Sequence, residues 1–330
     1  RGDANIVLQI DETGETVVEL EEAYLTTLDL PFHLQLKVGQ FFTGFGRLNP
    51  SHPHAWDFVD QPVINSRLFG PDGLRSQGVQ LAWLTPLPFF AELTGSVQNA
   101  HGETTTSFRN VPGETLAGRV LVEREVKSAK DLLYLLRLRT SFDATEEVTL
   151  VPGASALFGP NASGTQTQTQ IYGADLYVKW KPLSNDTGWP FAALQTEVML
   201  RRYRAAEVLD QPAAIEPAAI EPERTLDDYG LYSQLLWGFA RPWVVALRYE
   251  RAAGEADSFT LPEMSYGSAS DSARDERQRY SAALTYYPSE FSKLRLQYSY
   301  DHAQFLSQTG AHSAYLQFEI LFGAHGAHKF

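Results

Sequence analysis

Alternation of apolar and polar side chains is the dominant pattern of this sequence, and it is clearest between residues 291 and 330. In the segment KLRLQYSYD, residues 293–301, leucine and tyrosine occupy the even positions and polar side chains the odd ones. The pattern returns from Leu316 to Phe322 and keeps its parity as far as Phe330. A period of two residues is typical of a β-strand whose faces meet different surroundings. The two segments are therefore predicted to form a hairpin.

The character of the two faces favours a membrane protein over a soluble one. A soluble sandwich also alternates. Here, however, the polar face carries lysine, arginine and aspartate, the other face carries bulky aromatic residues, and the strands are long enough to cross a bilayer. The sequence predicts an all-β fold, a transmembrane antiparallel up-and-down β-barrel.

Twelve earlier stretches alternate in the same way. The connections between them are short turns in some places and long polar segments in others. Single-chain outer-membrane barrels show this arrangement. The count comes to about 14 strands, with 12 and 16 left open. The stretches before the hairpin are 5–10, 17–28, 32–42, 79–85, 89–99, 132–142, 148–158, 170–181, 191–204, 229–240, 243–251 and 278–287.

The chain is predicted to be one outer-membrane barrel domain, residues 1–330, with long extracellular loops. The first loop is rich in glycine, proline and histidine and is too long for a hairpin turn, so we expect it to be functional. In the second loop, residues 116–131 alternate poorly, which allows a short helix. The predicted loops are 43–78, 100–131, 207–227 and 254–275.

Composition and charge narrow the choice of partners. The 330 residues are 43% hydrophobic, with a mean hydropathy of −0.25 and a formal net charge of −13. No apolar run approaches the length of a membrane helix, but alternation hides lipid-facing residues of a barrel from any running average. The negative charge argues against nucleic acid as a partner. The expected location is the outer membrane of a Gram-negative-type bacterium, in contact with lipid and lipopolysaccharide.

If the polar positions of each strand point into the barrel, the inner wall carries both positive and negative charges. Such charges stay solvated in a water-filled pore, whereas each would cost about 2–4 kcal/mol if it faced lipid at the midplane. An alternative stays open, in which the charges pair across strands and plug the lumen. The pore-lining candidates are Lys37, Arg137, Arg139, Asp175, Lys179, Glu197, Arg201, Arg248, Arg279, Lys293 and Arg295.

The most distinctive stretch is GQFFTGFGRLNPSHPHAWDFVDQPVINSRLFGPDGL, residues 39–74. Together with EEAYL at 21–25, it resembles the phosphate-selective (O and P type) porin superfamily and the related outer-membrane barrels labelled zinc-regulated receptors. The similarity extends to residues 153–164, 171–180 and 323–330. The resemblance implies a Gram-negative porin and allows a homotrimer. It does not transfer phosphate selectivity, because the arginine-ladder residues have no matching positions here.

The first loop also supplies candidate site residues. Arg47, Asn49, Asp57 and Asp60 are candidates for a constriction at the pore mouth. Two histidines and a nearby carboxylate, His52, His54 and Asp57, have the residue types of a zinc site. Pro50 and Pro53 disturb that geometry, so the expected cofactor is none. A loop fixed by side-chain hydrogen bonds is the alternative to the metal site.

The predicted function is a porin or substrate-selective channel for passive diffusion of small polar or ionic solutes. A non-conducting scaffold for an envelope complex and a metal-ion uptake barrel are the alternatives. An enzyme is not expected, since neither GxSxG nor HExxH occurs in the sequence. The terminal Phe330 resembles the aromatic residue by which barrel-assembly machinery recognises its clients. His325 and His328 are a second, weaker candidate metal pair, and a position at the periplasmic interface is the favoured alternative for them.

Overall fold

The computed structural model describes residues 2–10, 16–185, 188–209, 220–255, 273–303, 305–306 and 308–321. Within these ranges, no helix is long and apolar enough to cross a membrane. The predictions for His325, His328 and Phe330, and parts of the predicted loops 207–227 and 254–275, lie outside the described residues.

Fourteen strands form one sheet in which each strand pairs antiparallel with the next along the chain. The predicted fold class and the count of about 14 are therefore confirmed. The strands are β1 (Gly2–Ile10), β2 (Thr16–Thr26), β3 (Leu34–Phe42), β4 (Arg75–Leu84), β5 (Phe90–Gln98), β6 (Leu133–Thr145), β7 (Val148–Pro160), β8 (Gln168–Trp180), β9 (Phe191–Ala205), β10 (Arg224–Ala240), β11 (Trp243–Glu255), β12 (Arg277–Ser289), β13 (Ser292–Ala303) and β14 (Gly310–Ile320).

The two faces of this sheet reverse the usual rule for soluble proteins. On β13, Leu296 is 57% exposed, whereas its neighbours Arg295 and Gln297 are almost fully buried. Leucine and tyrosine line the exposed face of the other strands in the same way. Exposed apolar and buried charged side chains are favourable together only if the outer face meets hydrocarbon. The outer face is therefore the lipid-facing one.

The sheet curls around residues 43–74, which we call the lumen loop. Leu48 of this loop is bound to β9, His52 to β2 and Val59 to β13. β2 and β9 lie seven places apart in the order of strands. Four chain steps separate Leu48 from His52, a span of at most ~14 Å. The loop therefore crosses the lumen between opposite walls.

The main apolar cluster of the protein lies inside this curled sheet, between the lumen loop and the wall. The loop contributes Phe45, Leu48 and the helix α1 (Val63–Phe69), whose Ile64, Leu68 and Phe69 are buried. The wall contributes inward side chains of β6 to β9, namely Leu135, Leu157, Ile171 and Met199. Burial of these side chains fixes the loop against the wall.

The predicted helix within residues 116–131 is wrong. That segment contains a two-residue ladder, in which Thr115–Leu116 pairs with Arg119–Val120, and a 3₁₀ turn at Ala129–Asp131. Ala117 and Gly118 both have positive φ, 51° and 70°. Two successive residues with positive φ form the tight turn of a hairpin, which is incompatible with a helix.

Three predicted loops are shorter than expected. β4 already begins at Arg75, β10 at Arg224, and β11 continues to Glu255. Charged residues occupy these strand ends. The amphipathic pattern weakens there, so the sequence alone placed the strand ends too early or too late.

Replacing an exposed leucine on the outer face tests whether that face meets hydrocarbon. Leu247 is 53% exposed near the middle of β11 and pairs with Leu235, which is also exposed. We expect Leu247→Arg to lower the free energy of unfolding from lipid vesicles by about 2–4 kcal/mol, because a charge would face lipid. Urea titration of vesicle-bound protein measures the change.

The matched control for this test is Leu247→Ala, which removes apolar area without adding charge and should cost less. Equal losses for the two variants would contradict a lipid-facing position.

Candidate functional site

One row of inward side chains crosses nine strands at the same register level of the sheet. Five of its members are carboxylates and two are arginines, so the row carries an acidic excess that needs partners. The lumen loop supplies several of them. From β5 to β13 the row reads Glu92, Arg139, Gly153, Asp175, Glu197, Tyr232, Glu250, Arg279 and Asp301.

Asp175 in this row pairs with Arg137 across an intervening strand. Arg137 Nη1 and Nη2 lie 2.8 and 3.1 Å from the two carboxylate oxygens, and both side chains are buried. Gly153 lies between them on β7, where an added Cβ would come within 2.6 Å of the Asp175 carboxylate. The absence of a side chain at residue 153 therefore lets the bidentate pair form, and such pairs are strong.

Glu197 binds the backbone of the lumen loop. Its Oε1 accepts hydrogen bonds from the amides of Arg47 and Leu48 at 2.8 and 2.9 Å, and from the Tyr232 hydroxyl at 2.8 Å. Gly46 approaches so closely, with φ of 60°, that a Cβ would lie 2.3 Å from Glu197 Oε2. Glycine is therefore required at residue 46, and the carboxylate fixes this end of the loop.

Glu250 and Asp60 anchor the other half of the loop. Glu250 Oε2 accepts from the Val63 amide at 2.6 Å, and Arg248 donates to both Glu250 and Asp60, at 2.7 and 2.8 Å. Arg279 also donates to Asp60. Burial acts to raise the pKa of Asp60, but the positive charge of Arg248 and its other partners outweigh burial and hold that pKa below its usual value.

A β-bulge in β2 places two consecutive carboxylates on the inner face. Asn5 pairs with Glu22 and Ile6 with Leu20, so Glu21 is an extra residue, and both glutamates are buried. The His52 ring lies between them, with Nδ1 2.8 Å from Glu21 and Nε2 2.8 Å from Glu22. We call this arrangement the His52 clamp. It ties the lumen loop to β2.

His52 is an imidazolium in this geometry, since both ring nitrogens donate to carboxylates. The hydrogen bond with Glu21, followed by that with Glu22, raises the pKa of His52 to about 9 against the opposing effect of burial. The His54 ring stacks on the His52 ring at 5.4 Å between centroids.

Of the predicted metal ligands, His52 and His54 lie side by side, but with Asp57 they do not form a group that could hold a metal ion. Asp57 instead accepts a hydrogen bond from Gln234 on β10 at 2.7 Å. Across the described ranges, no group of three or more histidine, aspartate or glutamate side chains is arranged to hold a metal ion. The carboxylates bind both nitrogens of His52, so its ring has no lone pair to offer a metal.

The other two constriction candidates have different positions. Asn49 closes the neck of the loop: its Nδ2 donates to the carbonyls of Thr43 and Leu74, and its Oδ1 accepts from the Leu74 amide at 2.8 Å. Arg47 extends into the lumen, with its guanidinium 4.2 Å from the centre of the Tyr177 ring. Asn49 therefore has a structural position, and Arg47 faces the space beside the loop.

The remaining pore-lining candidates contact neighbouring side chains along the inner wall. Arg201 binds Asp228 at 2.7 Å, and Arg139 binds Glu92 at 3.0 Å. The other contacts are Lys37 with the Tyr24 ring, Lys179 with the Phe191 ring, Lys293 with Glu319, and Arg295 with Thr285 and Gln317.

Two cavities flank the lumen loop. The clamp cavity, of about 270 Å³, is lined by Glu21, Phe42, Leu48, Asn49, Ser51, Pro53, His54, Trp56, Gln61, Pro71, Asp72, Gly73 and Arg75. The arginine cavity, of about 320 Å³, is lined by Gly44, Gly46, Arg47, Pro50, Ser51, Gln80, Glu92, Thr94, Arg137 and Arg139. Ser51 lines both cavities, so the short stretch of loop around it separates them.

No family model matches this sequence. An uncharacterised protein of Aquifex aeolicus is 31% identical over 342 positions, which cover 99% of this chain and 66% of that protein. The chain thus spans just under two thirds of the length of that relative.

Solved structures of outer-membrane barrels resemble the fold. The outer membrane channel DcaP of Acinetobacter baumannii has a TM-score of 0.52 at 11% identity, over 96% of this chain and 77% of that one. A loop deletion mutant of OmpT, an outer membrane protein of Vibrio cholerae, has 0.51 at 9% identity, over 97% and 84%. An anion-selective porin from Comamonas acidovorans has 0.50 at 9% identity, over 90% and 73%. The fold is that of outer-membrane β-barrels, in agreement with the predicted location.

Sequence reasoning missed three residues on which the site depends. Glu22 was not predicted to face inward beside Glu21, because strict alternation sends neighbours to opposite faces. The bulge that overrides alternation has no signal in the sequence. Gly46 and Gly153, by contrast, stand in a loop and a strand where close approach of another group is a known reason for glycine.

The raised pKa of His52 predicts that docking of the lumen loop depends on pH. The clamp should stabilise the docked loop by about 3 kcal/mol below pH 6.5, because each unit by which the pKa of His52 is raised corresponds to about 1.4 kcal/mol. This stabilisation should be lost as the pH rises through about 9. Hydrogen exchange of the Leu48 amide, compared between wild type and His52→Gln from pH 6 to pH 10, measures this contribution.

His101→Gln is the control for this pH series, because His101 lies in another loop, 3.7 Å from Glu123. If the difference in Leu48 exchange rate between wild type and His52→Gln is the same at every pH, the clamp does not depend on the charge of His52.

Proposed function

We propose that this protein is a constricted diffusion channel for small polar or ionic solutes. The observation that carries the proposal is the position of the lumen loop. The loop crosses between β2 and β9, yet it leaves a polar cavity beside it. A pore selects by its radius and by the charges that line it, and this cavity supplies both a narrow space and charged walls.

The sector of wall from β4 to β6 is where the loop leaves space. The loop lines this sector with small residues, Gly44, Gly46 and Ser51, and with Pro50 and Arg47. Arg139 and Glu92 on the facing wall are 41% and 28% exposed, although most inward charges elsewhere are buried. A solute that passes the loop would therefore pass through the arginine cavity.

A second candidate function is a non-conducting scaffold. The apolar cluster between the lumen loop and β6 to β9 favours it, because a packed core in the lumen obstructs flow. The predicted homotrimer, the contacts with lipopolysaccharide, the role of barrel-assembly machinery and the absence of enzymatic activity stay predictions.

Recordings in planar bilayers test the channel proposal. We expect wild-type protein to give small, uniform conductance steps. His52→Ala should give larger steps, because loss of the clamp frees the stretch around Ser51 that separates the two cavities. Wild-type protein recorded above about pH 9 should give similarly large steps, because His52 loses its charge there.

The control for the recordings is His101→Ala, outside the lumen, which should conduct like wild type. Correctly folded protein, judged by heat-modifiable gel mobility, that gives no steps in either wild type or His52→Ala would favour the scaffold.

A further inference from the structure

We propose that the arginine cavity is a binding site for the carboxylate group of a small monoanionic solute, with Arg47 as its main ligand. This inference rests on the proposed channel function and names the class of solute that the channel would favour.

Arg47 has donor groups left for a ligand. Its backbone amide binds Glu197, its Nε lies 3.5 Å from Gln195 Oε1, and its guanidinium stacks on Tyr177. Across the described part of the chain, no carboxylate is within salt-bridge distance of Arg47, and its two Nη atoms have no hydrogen-bond partner. A planar fork with two unused donors matches a carboxylate in bidentate geometry.

Tyr177 and the loop backbone hold that fork in one orientation. The ring lies under the guanidinium at 4.2 Å, and the amides of residues 47 and 48 are fixed on Glu197. A cation placed over an aromatic face keeps its edge free for hydrogen bonds. The side chain is thus preorganised, which reduces the entropy lost when a solute binds.

The charges around the cavity favour a monoanion over a dianion. Arg137 is already matched by Asp175 in two hydrogen bonds, and Arg139 by Glu92 in one. Glu92 also lines the cavity. A second negative charge on the solute would meet this carboxylate without a further unmatched arginine, so inorganic phosphate fits less well than a carboxylate.

The size of the cavity sets the size of the solute. A volume of about 320 Å³ lies at the lower end of the range for small-molecule sites. Gln80, Thr94 and Ser51 add neutral hydrogen-bonding groups around the arginines. Short-chain carboxylates, with or without a hydroxyl group, match these dimensions and groups.

The test measures how single-channel current saturates with sodium propionate. We expect saturation in wild type and a half-saturating concentration at least about tenfold higher in Arg47→Gln, which removes the charged fork but keeps the backbone contacts. Arg47→Lys, which keeps the charge without the fork, should give an intermediate value. Arg202→Gln, which removes an exposed arginine bound to Asp227 outside the cavity, should match wild type.

Unsaturated current in wild type, or equal half-saturation in wild type and Arg47→Gln, would overturn the site while leaving the channel intact. Half-saturation by phosphate at a lower concentration than by propionate would overturn the choice of a monocarboxylate. If the protein does not conduct, titration calorimetry with propionate in detergent decides separately. Binding heat in wild type that is absent in Arg47→Gln supports the binding site in a protein that is not a channel. The absence of binding heat in both proteins overturns the binding site as well as the channel.

Discussion

Carboxylates buried inside a barrel must be matched, and here the backbone of the lumen loop matches them. Burying an ionised group is costly unless it is hydrogen-bonded or paired. Glu197 accepts from two loop amides and Glu250 from a third, while Glu21 and Glu22 share the imidazolium of His52. The loop in turn has its amides at Arg47, Leu48 and Val63 bound by these wall side chains. Wall and loop therefore depend on each other, and the position of every other lumen feature follows.

This mutual dependence explains how the lumen can be both packed and passable. From β9 to β13, Glu250 and Gln297 bind the backbone of the loop, and from β6 to β9 an apolar core packs against it. On the side of β4 to β6, the glycines of the loop leave a gap lined by arginines and Glu92. The loop thus divides the lumen unevenly. It is bound to the wall on one side and leaves room for a solute on the other.

The fold was largely predictable from sequence, and the site only in part. Strict alternation, as in Leu294 to Tyr300, arises because one face of each strand meets lipid and the other meets the lumen. The face of each side chain and an approximate number of strands could therefore be read from the sequence. The loop could not be placed in this way. Its course depends on contacts with residues 30 to 240 positions away, such as His52 with Glu21 and Val59 with Gln297. The bulge that turns Glu22 inward is likewise a property of the paired strands and not of the local sequence.

The most direct test of a loop held across the lumen is a cross-link within the folded protein in lipid. The chain has no cysteine, so the variant Val59→Cys with Gln297→Cys carries one reactive pair, at a site where the Val59 amide donates to the Gln297 side chain at 2.8 Å. We expect rapid bridging by a short thiol cross-linker and slow labelling of residue 59 by a membrane-impermeant maleimide. Fast labelling without bridging would show that the loop lies outside the barrel and would contradict the account.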